Sequence, residues 1–179
     1  AFSETIEDLH GYINPKTGLD NNLGTKEKPL KTIWEAAQRA NNDEGAETVN
    51  LILAPGIYSI DTTITLNPKN RVFTKENRLV IKAEINPDDE NWDTGSMPTL
   101  IHTMPLSDMW RERKDPFGGV SYGFMIETSH VTFEGLRILG IPVVEHPKEG
   151  YIQRVYPIGR MDPELDDLEI TQCFFAGDE

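Results

Sequence analysis

Apolar and polar positions alternate along this chain in two regimes. The first is helical and brief. Ile33, Ala36, Ala37 and Ala40 recur at helical spacing and predict one amphipathic helix over 32–41. Thr32 stands where an N-cap belongs and Glu35 where its reciprocal partner belongs, a capping box in Thr-x-x-Glu form. Asn41, Asn42 and Gly45 close it. Ahead of it, 18–29 is turn chemistry, with Asp, Asn and Gly tolerating unusual backbone angles and Pro29 ending the stretch. After it the helical period disappears. Short apolar runs at 49–53, 62–66, 79–83, 99–103, 124–128, 131–139 and 168–175 have the length and composition of strands. Pro- and Gly-bearing polar stretches at 86–98, 104–122 and 140–167 separate them, longer than the usual hairpin loop of about 2–5 residues.

Two of the strand runs share a template. Val131, Phe133, Leu136 and Ile138 have the same offsets as Leu168, Ile170, Cys173 and Phe175, and Leu79, Ile81 and Ala83 begin the same way. The parity changes after the second apolar position, whereas a straight strand keeps period 2. A chain that runs straight, bends once and runs straight again, keeping one face inward, has this pattern. Repetition of a bent unit predicts a solenoid whose coils bury a continuous core between them.

The chain has 179 residues, 37% hydrophobic and 26% charged, which suits one domain with an ample core. It lacks an uncharged apolar run of ~18 residues, so no transmembrane helix is predicted. It does not open with the basic and apolar segments of a signal peptide. With 17 basic against 30 acidic groups the net charge is −13, which argues against a nucleic-acid backbone as partner. The charge is uneven: net −6 over 1–100, zero over 101–160, and −7 over 161–179. The middle segment is therefore the least repulsive place for an anionic partner. Cys173 is the single cysteine, which excludes an internal disulfide and reads as a buried packing thiol.

Gly24-Thr25, Leu30-Lys31-Thr32-Ile33, Ala36 and then 51–58 (LILAPGIY) resemble the N-terminal cap of right-handed parallel β-helix proteins of the pectate-lyase-like group. The resemblance covers about 11–66, and the runs at 131–138 and 168–175 look like successive rungs. It implies an all-β right-handed parallel β-helix with a short capping helix. On that reading 1–48 is the turn and cap, and 49–179 holds the first rungs with long excursions. The helix covers the open end, which otherwise exposes strand edges. Such solenoids carry more rungs than this length supplies and a cap at each end. The expectation is an N-terminal portion whose last rung is covered by further rungs or a partner chain.

The resemblance also implies cleavage of acidic polysaccharides outside the cytoplasm, by elimination or hydrolysis. Elimination needs the uronate carboxylate neutralised, by Ca²⁺ or a basic side chain, a base for the C5 proton, and an acid for the leaving oxygen. Hydrolysis needs two carboxylates flanking the bond. No catalytic motif of the group is matched here. Arg111, Arg113 and Lys114 beside Trp110 suit a sugar ring and its carboxylate; their other reading is a solvated loop pairing with Glu112 and Asp115. Arg154, Tyr156 and Arg160, with His146 and Lys148, form a second basic-aromatic group; Pro142, Pro147, Pro157 and Pro163 also fit an ordinary extended loop. The two excursions precede neighbouring rungs, which would make one groove wall of them. His102 and His130 read as turn or packing histidines. Asp162, Glu164, Asp166 and Asp167 are the densest acids and the best oxygen donors for calcium, ahead of Asp20 with its two asparagines and of 88–90; a solvated acidic loop is the other reading of each.

Two functions follow as expectations: a polysaccharide lyase acting on an acidic glycan, or a non-catalytic β-helix that binds glycans or serves as an assembly component. A nucleotide-binding α/β enzyme is disfavoured, since no G-x-G-x-x-G or P-loop is present and only one helix is predicted.

Overall fold

The computed structural model describes residues 3–4, 8–103, 117–140 and 152–177. The chain is mostly β, with one α-helix and three sheets. Its strands are β1 (Ser3–Glu4), β2 (Asp8–Ile13), β3 (Thr48–Leu53), β4 (Ile57–Ile60), β5 (Ile64–Leu66), β6 (Leu79–Ala83), β7 (Thr99–His102), β8 (Phe117–Ile126), β9 (Val131–Glu134), β10 (Arg137–Leu139), β11 (Ile152–Gly159), β12 (Leu168–Thr171) and β13 (Phe174–Ala176). The helix α1 spans Ile33–Asn41.

The first sheet has the order β1-β2-β3-β6-β9-β12, the second β13-β10-β7-β4 and the third β11-β8-β5. Every pairing is parallel except β1 with β2. From β3 onward the chain visits the first, second and third sheets in rotation, so each strand lies beside the strand one circuit later.

Register turns this rotation into a core. Val49, Leu79, Val131 and Leu168 align across the first sheet, as do Leu51, Ile81, Phe133 and Ile170. Tyr58, Leu100, Ile138 and Phe175 align across the second, and Ile64, Phe124 and Ile158 across the third. Like stacks on like, and most of these side chains are fully buried. Phe124 and Phe133 meet edge to face at 5.0 Å, a favourable aromatic geometry that joins two sheets through the centre.

The predicted bend is real and has a conformational cause. Gly135 (φ 73°) and Gln172 (φ 53°) each sit four positions after the first apolar residue of the shared template. One left-handed residue reverses the parity there and turns the chain from the first sheet into the second. The runs at 131–139 and 168–175 are therefore each two strands.

The helix forms where its spacing predicts, with Thr32 Oγ1 accepting the Glu35 amide at 3.2 Å. Half of the expected capping box differs. Glu35 pairs with Arg39 at 3.1 Å, while Asp20 accepts the Thr32 and Lys31 amides and the Thr32 hydroxyl. Ile33, Ala36, Ala37 and Ala40 face the core. Buried Asn41 finishes the cover: its Nδ2 donates to the Thr65 carbonyl at 2.8 Å and its Oδ1 accepts the Asn67 amide at 2.8 Å. The outer edge of β5 is thus closed by one amide side chain.

Other expectations need correction. Residues 117–122 and 152–159, read as excursion, are strand. Pro157 argues for a loop, because a proline interrupts a ladder. It is tolerated here in β11, which is an edge strand of its sheet. Strands β2 and β4 lacked a distinguishing period of their own. Among the described residues no helix is long and apolar enough to cross a membrane.

Candidate functional site

The circuits differ most at one corner, where the chain passes from the second sheet to the third. The first circuit turns there through residues 61–63 alone, between β4 and β5. The next two leave β7 and β10 and re-enter at β8 and β11, across 103–116 and 140–151. Since β7 pairs with β10 and β8 with β11, the two excursions start and finish side by side. Trp110, Arg111, Arg113, Lys114, His146 and Lys148 belong to these excursions and lie outside the described residues.

The strands that receive the excursions carry an aromatic pair. Tyr122 of β8 and Tyr156 of β11 are register partners, their rings stacked with centroids 5.5 Å apart and planes 19° apart. Tyr156 remains 39% exposed, so an outer face is open. Two glycines permit the arrangement. A Cβ on Gly159 would lie 2.4 Å from the Tyr122 ring, and one on Gly123 would lie 2.7 Å from the Pro157 carbonyl oxygen. The Tyr122 hydroxyl donates to Met161 Sδ at 3.6 Å, and Thr63 Oγ1 donates to the Tyr122 carbonyl at 2.9 Å. Arg154 lies in β11 opposite Val120, and Arg160 follows that strand, exposed.

Beneath the same corner His102 Nε2 and Ser121 Oγ are 3.1 Å apart. His102 is buried, its Nδ1 has no hydrogen-bond partner, and burial lowers its pKa below 6.5, which favours the neutral ring. A neutral imidazole can accept or donate one hydrogen bond to a hydroxyl without bringing charge into the interior.

The acidic group predicted at 162–167 is divided by the fold. Asp162, with Glu127 and Asn67, lines a cleft of about 370 Å³ beside Met125, Ile126 and Met161. Its Oδ1 accepts the Glu164 amide at 2.9 Å. Glu164 and Asp166 are exposed. Asp167 is claimed elsewhere, with its Oδ2 2.5 Å from Arg78 Nη1 and 2.5 Å from His130 Nδ1. Arg78 Nε donates to Thr132 Oγ1 at 2.9 Å, and hydrogen bonds from Arg78 and His130 hold the Asp167 carboxyl at about 2, below the usual 3.8. Among the described residues no three His, Cys, Asp or Glu side chains are placed to hold one metal ion. Asn67, Glu127 and Asp162 share the lining of this cleft, and of them only Asp162 belongs to the predicted group.

No motif in the sequence singles out Tyr122, Ser121, Arg78 or Glu127. Gly123 and Gly159 were the available signal for the tyrosine pair, since glycine inside a strand marks a close approach. No protein-family model, curated protein or solved structure matches this chain.

Proposed function

We propose that this chain is a right-handed parallel β-helix acting outside the cytoplasm on an acidic polysaccharide, which it cleaves by β-elimination. The observation that carries the reading is the Tyr122–Tyr156 stack at the corner where both long excursions begin and end. The face of an aromatic ring is electron-rich, and the axial C–H bonds of a pyranose present partial positive charge to it. Arg154 and Arg160 belong to the same strand and its exit, and the neutral charge of 101–160 makes this the part of an acidic protein least repulsive to a uronate.

Elimination balances as follows. A base removes the proton at C5, whose electrons form the C4=C5 double bond. The bond from C4 to the glycosidic oxygen breaks, and that oxygen takes a proton. Arg160 and, by sequence, Arg111, Arg113 and Lys114 are the candidates to neutralise the carboxylate and remove the proton, with calcium as the alternative counter-charge. The second reading, a glycan-binding module without turnover, needs only the aromatic platform.

The test is to incubate the chain with polygalacturonate and alginate, with and without chelator, following retention in affinity electrophoresis and ultraviolet absorbance of the unsaturated product. Retention that falls about tenfold in Tyr156→Ala, with product formed, supports the lyase. Retention without product supports the binding module. Failure of the chain to retain on either polymer overturns both.

A further inference from the structure

A second opening lies at the capped end of the molecule. Each sheet begins there, and two of the three first edges are closed: β3 by β2 in the first sheet, β5 by Asn41 of the helix in the third. In the second sheet β4 is the terminal strand, and among the described residues no strand pairs with its outer edge. The space beside it is a cleft of about 400 Å³, within the usual ~300–1,000 Å³ of small-ligand sites.

Its walls mix the groups that sugars engage. Trp34 from the helix and Ile57 from β4 stand in it 44% and 65% exposed, although large apolar side chains normally seek cover. Lys31 and Asp61 also line it, both exposed, and neither forms an ion pair among the described residues. Ser59, Thr62, Thr32 and Asp20 also line it, with the Asp20 carboxylate engaged by the Lys31 and Thr32 amides and the Thr32 hydroxyl. An indole face, a free ammonium and a free carboxylate together fit an acidic sugar: ring on Trp34, uronate on Lys31, ring hydroxyls on Asp61.

The loop that lines this cleft also touches the strand that carries the tyrosine platform. Thr62 and Ile64 line the cleft, and Thr63 between them donates to the Tyr122 carbonyl at 2.9 Å. The first corner, 61–63, is short, so its own circuit places no long excursion there. We infer that the Trp34 cleft is the distal end of one glycan groove that runs from the cap helix to the Tyr122–Tyr156 platform and holds a uronate chain several units long.

This inference rests on the proposed uronate-glycan function, and the experiment separates the two. Galacturonate oligomers of increasing length are titrated calorimetrically into the wild-type chain and into Trp34→Ala, Lys31→Ala and Tyr156→Ala, with melting curves recorded for each. The groove predicts that Trp34→Ala and Lys31→Ala bind short oligomers as the wild type does and the longest ones about tenfold more weakly, while Tyr156→Ala weakens every length. Wild-type binding of all lengths by both cleft variants overturns the groove and leaves the platform standing. A loss equal at every length, or accompanied by a lowered melting temperature, also overturns it, since Trp34 then acts through the fold. No binding of any oligomer by the wild-type chain overturns groove and function together.

Discussion

Arg78 and Asp167 lie 89 positions apart in sequence, yet Arg78 Nη1 is 2.5 Å from Asp167 Oδ2, across the strand that lies between them. Arg78 precedes β6, His130 precedes β9 and Asp167 precedes β12, and these are three consecutive neighbours in the first sheet. His130 and Asp167 both adopt left-handed backbone, φ 62° and 53°, a conformation that non-glycine residues hold only when their surroundings over-determine it. Here the shared carboxylate contact to Arg78 and His130 does so. The triplet ties the last circuit to the two before it.

Asp167→Asn should loosen that tie. The folded carboxyl titrates at about 2 against the usual 3.8, so its contribution is full above 3.8 and is lost as pH falls towards 2. The variant should unfold earlier in heat at neutral pH and show a flatter acid limb between those values. Identical acid limbs for variant and wild type would remove Asp167 from the account.

His102 gives a second pH dependence in a different window. Burial depresses its pKa below 6.5, so as pH falls the unfolded chain takes up the proton before the folded one. Stability from this group is whole above about 6.5 and declines below it. Melting temperatures across pH 5–8 should fall on the acid side, and His102→Gln should reduce that slope. An unchanged slope would assign the effect to another group.

The bend makes the same demand on Gly135 and Gln172, a left-handed backbone, but only glycine meets it freely. A Cβ at Gly135 would carry φ 73° and lie 3.1 Å from the Ala83 Cβ, so Gly135→Ala should cost about 1–3 kcal/mol. Gln172, at φ 53°, occupies the equivalent place with a side chain the conformation disfavours. Gln172→Gly should be neutral or stabilising, because relief of strain offsets the added freedom of the unfolded chain. Chemical denaturation of the two variants checks the sign of each; equal losses would show the bend to be indifferent to φ.

Ile170 and Phe175 continue inward columns whose other members are buried, but are themselves 45% and 41% exposed. Exposed apolar residues beside unpaired strand edges favour association. Sedimentation of the chain at rising concentration should show reversible self-association, weakened in Phe175→Ser. Strictly monomeric behaviour at all concentrations would contradict this expectation.

Much of the architecture was legible in the sequence, because it is encoded locally. The spacing of Ile33, Ala36, Ala37 and Ala40 specifies a helix whichever sheet it meets. The repeated offsets of 131–138 and 168–175 mark both the inward faces and the bend between them. Much less of the site was legible. Tyr156 could be named as an aromatic near basic residues, but its partner Tyr122 could not, since the pairing depends on the register between β8 and β11. Asp167 looked like one acid among four, and only the stacking of circuits delivered it to Arg78 and His130.

The sequence by itself therefore determined the helix, most of the short strands, the faces they bury and the charge available to a partner, all of which follow from side chains within a turn or two of one another. Tertiary structure alone decided which side chains meet, namely the tyrosine platform, the His102–Ser121 contact and the Arg78–His130–Asp167 triplet, and which edge of β4 has no partner strand among the described residues. The reason is geometric. Parallel strands one circuit apart bring together residues tens of positions distant, and the length of the intervening excursions, which carries no periodic signal, sets which ones.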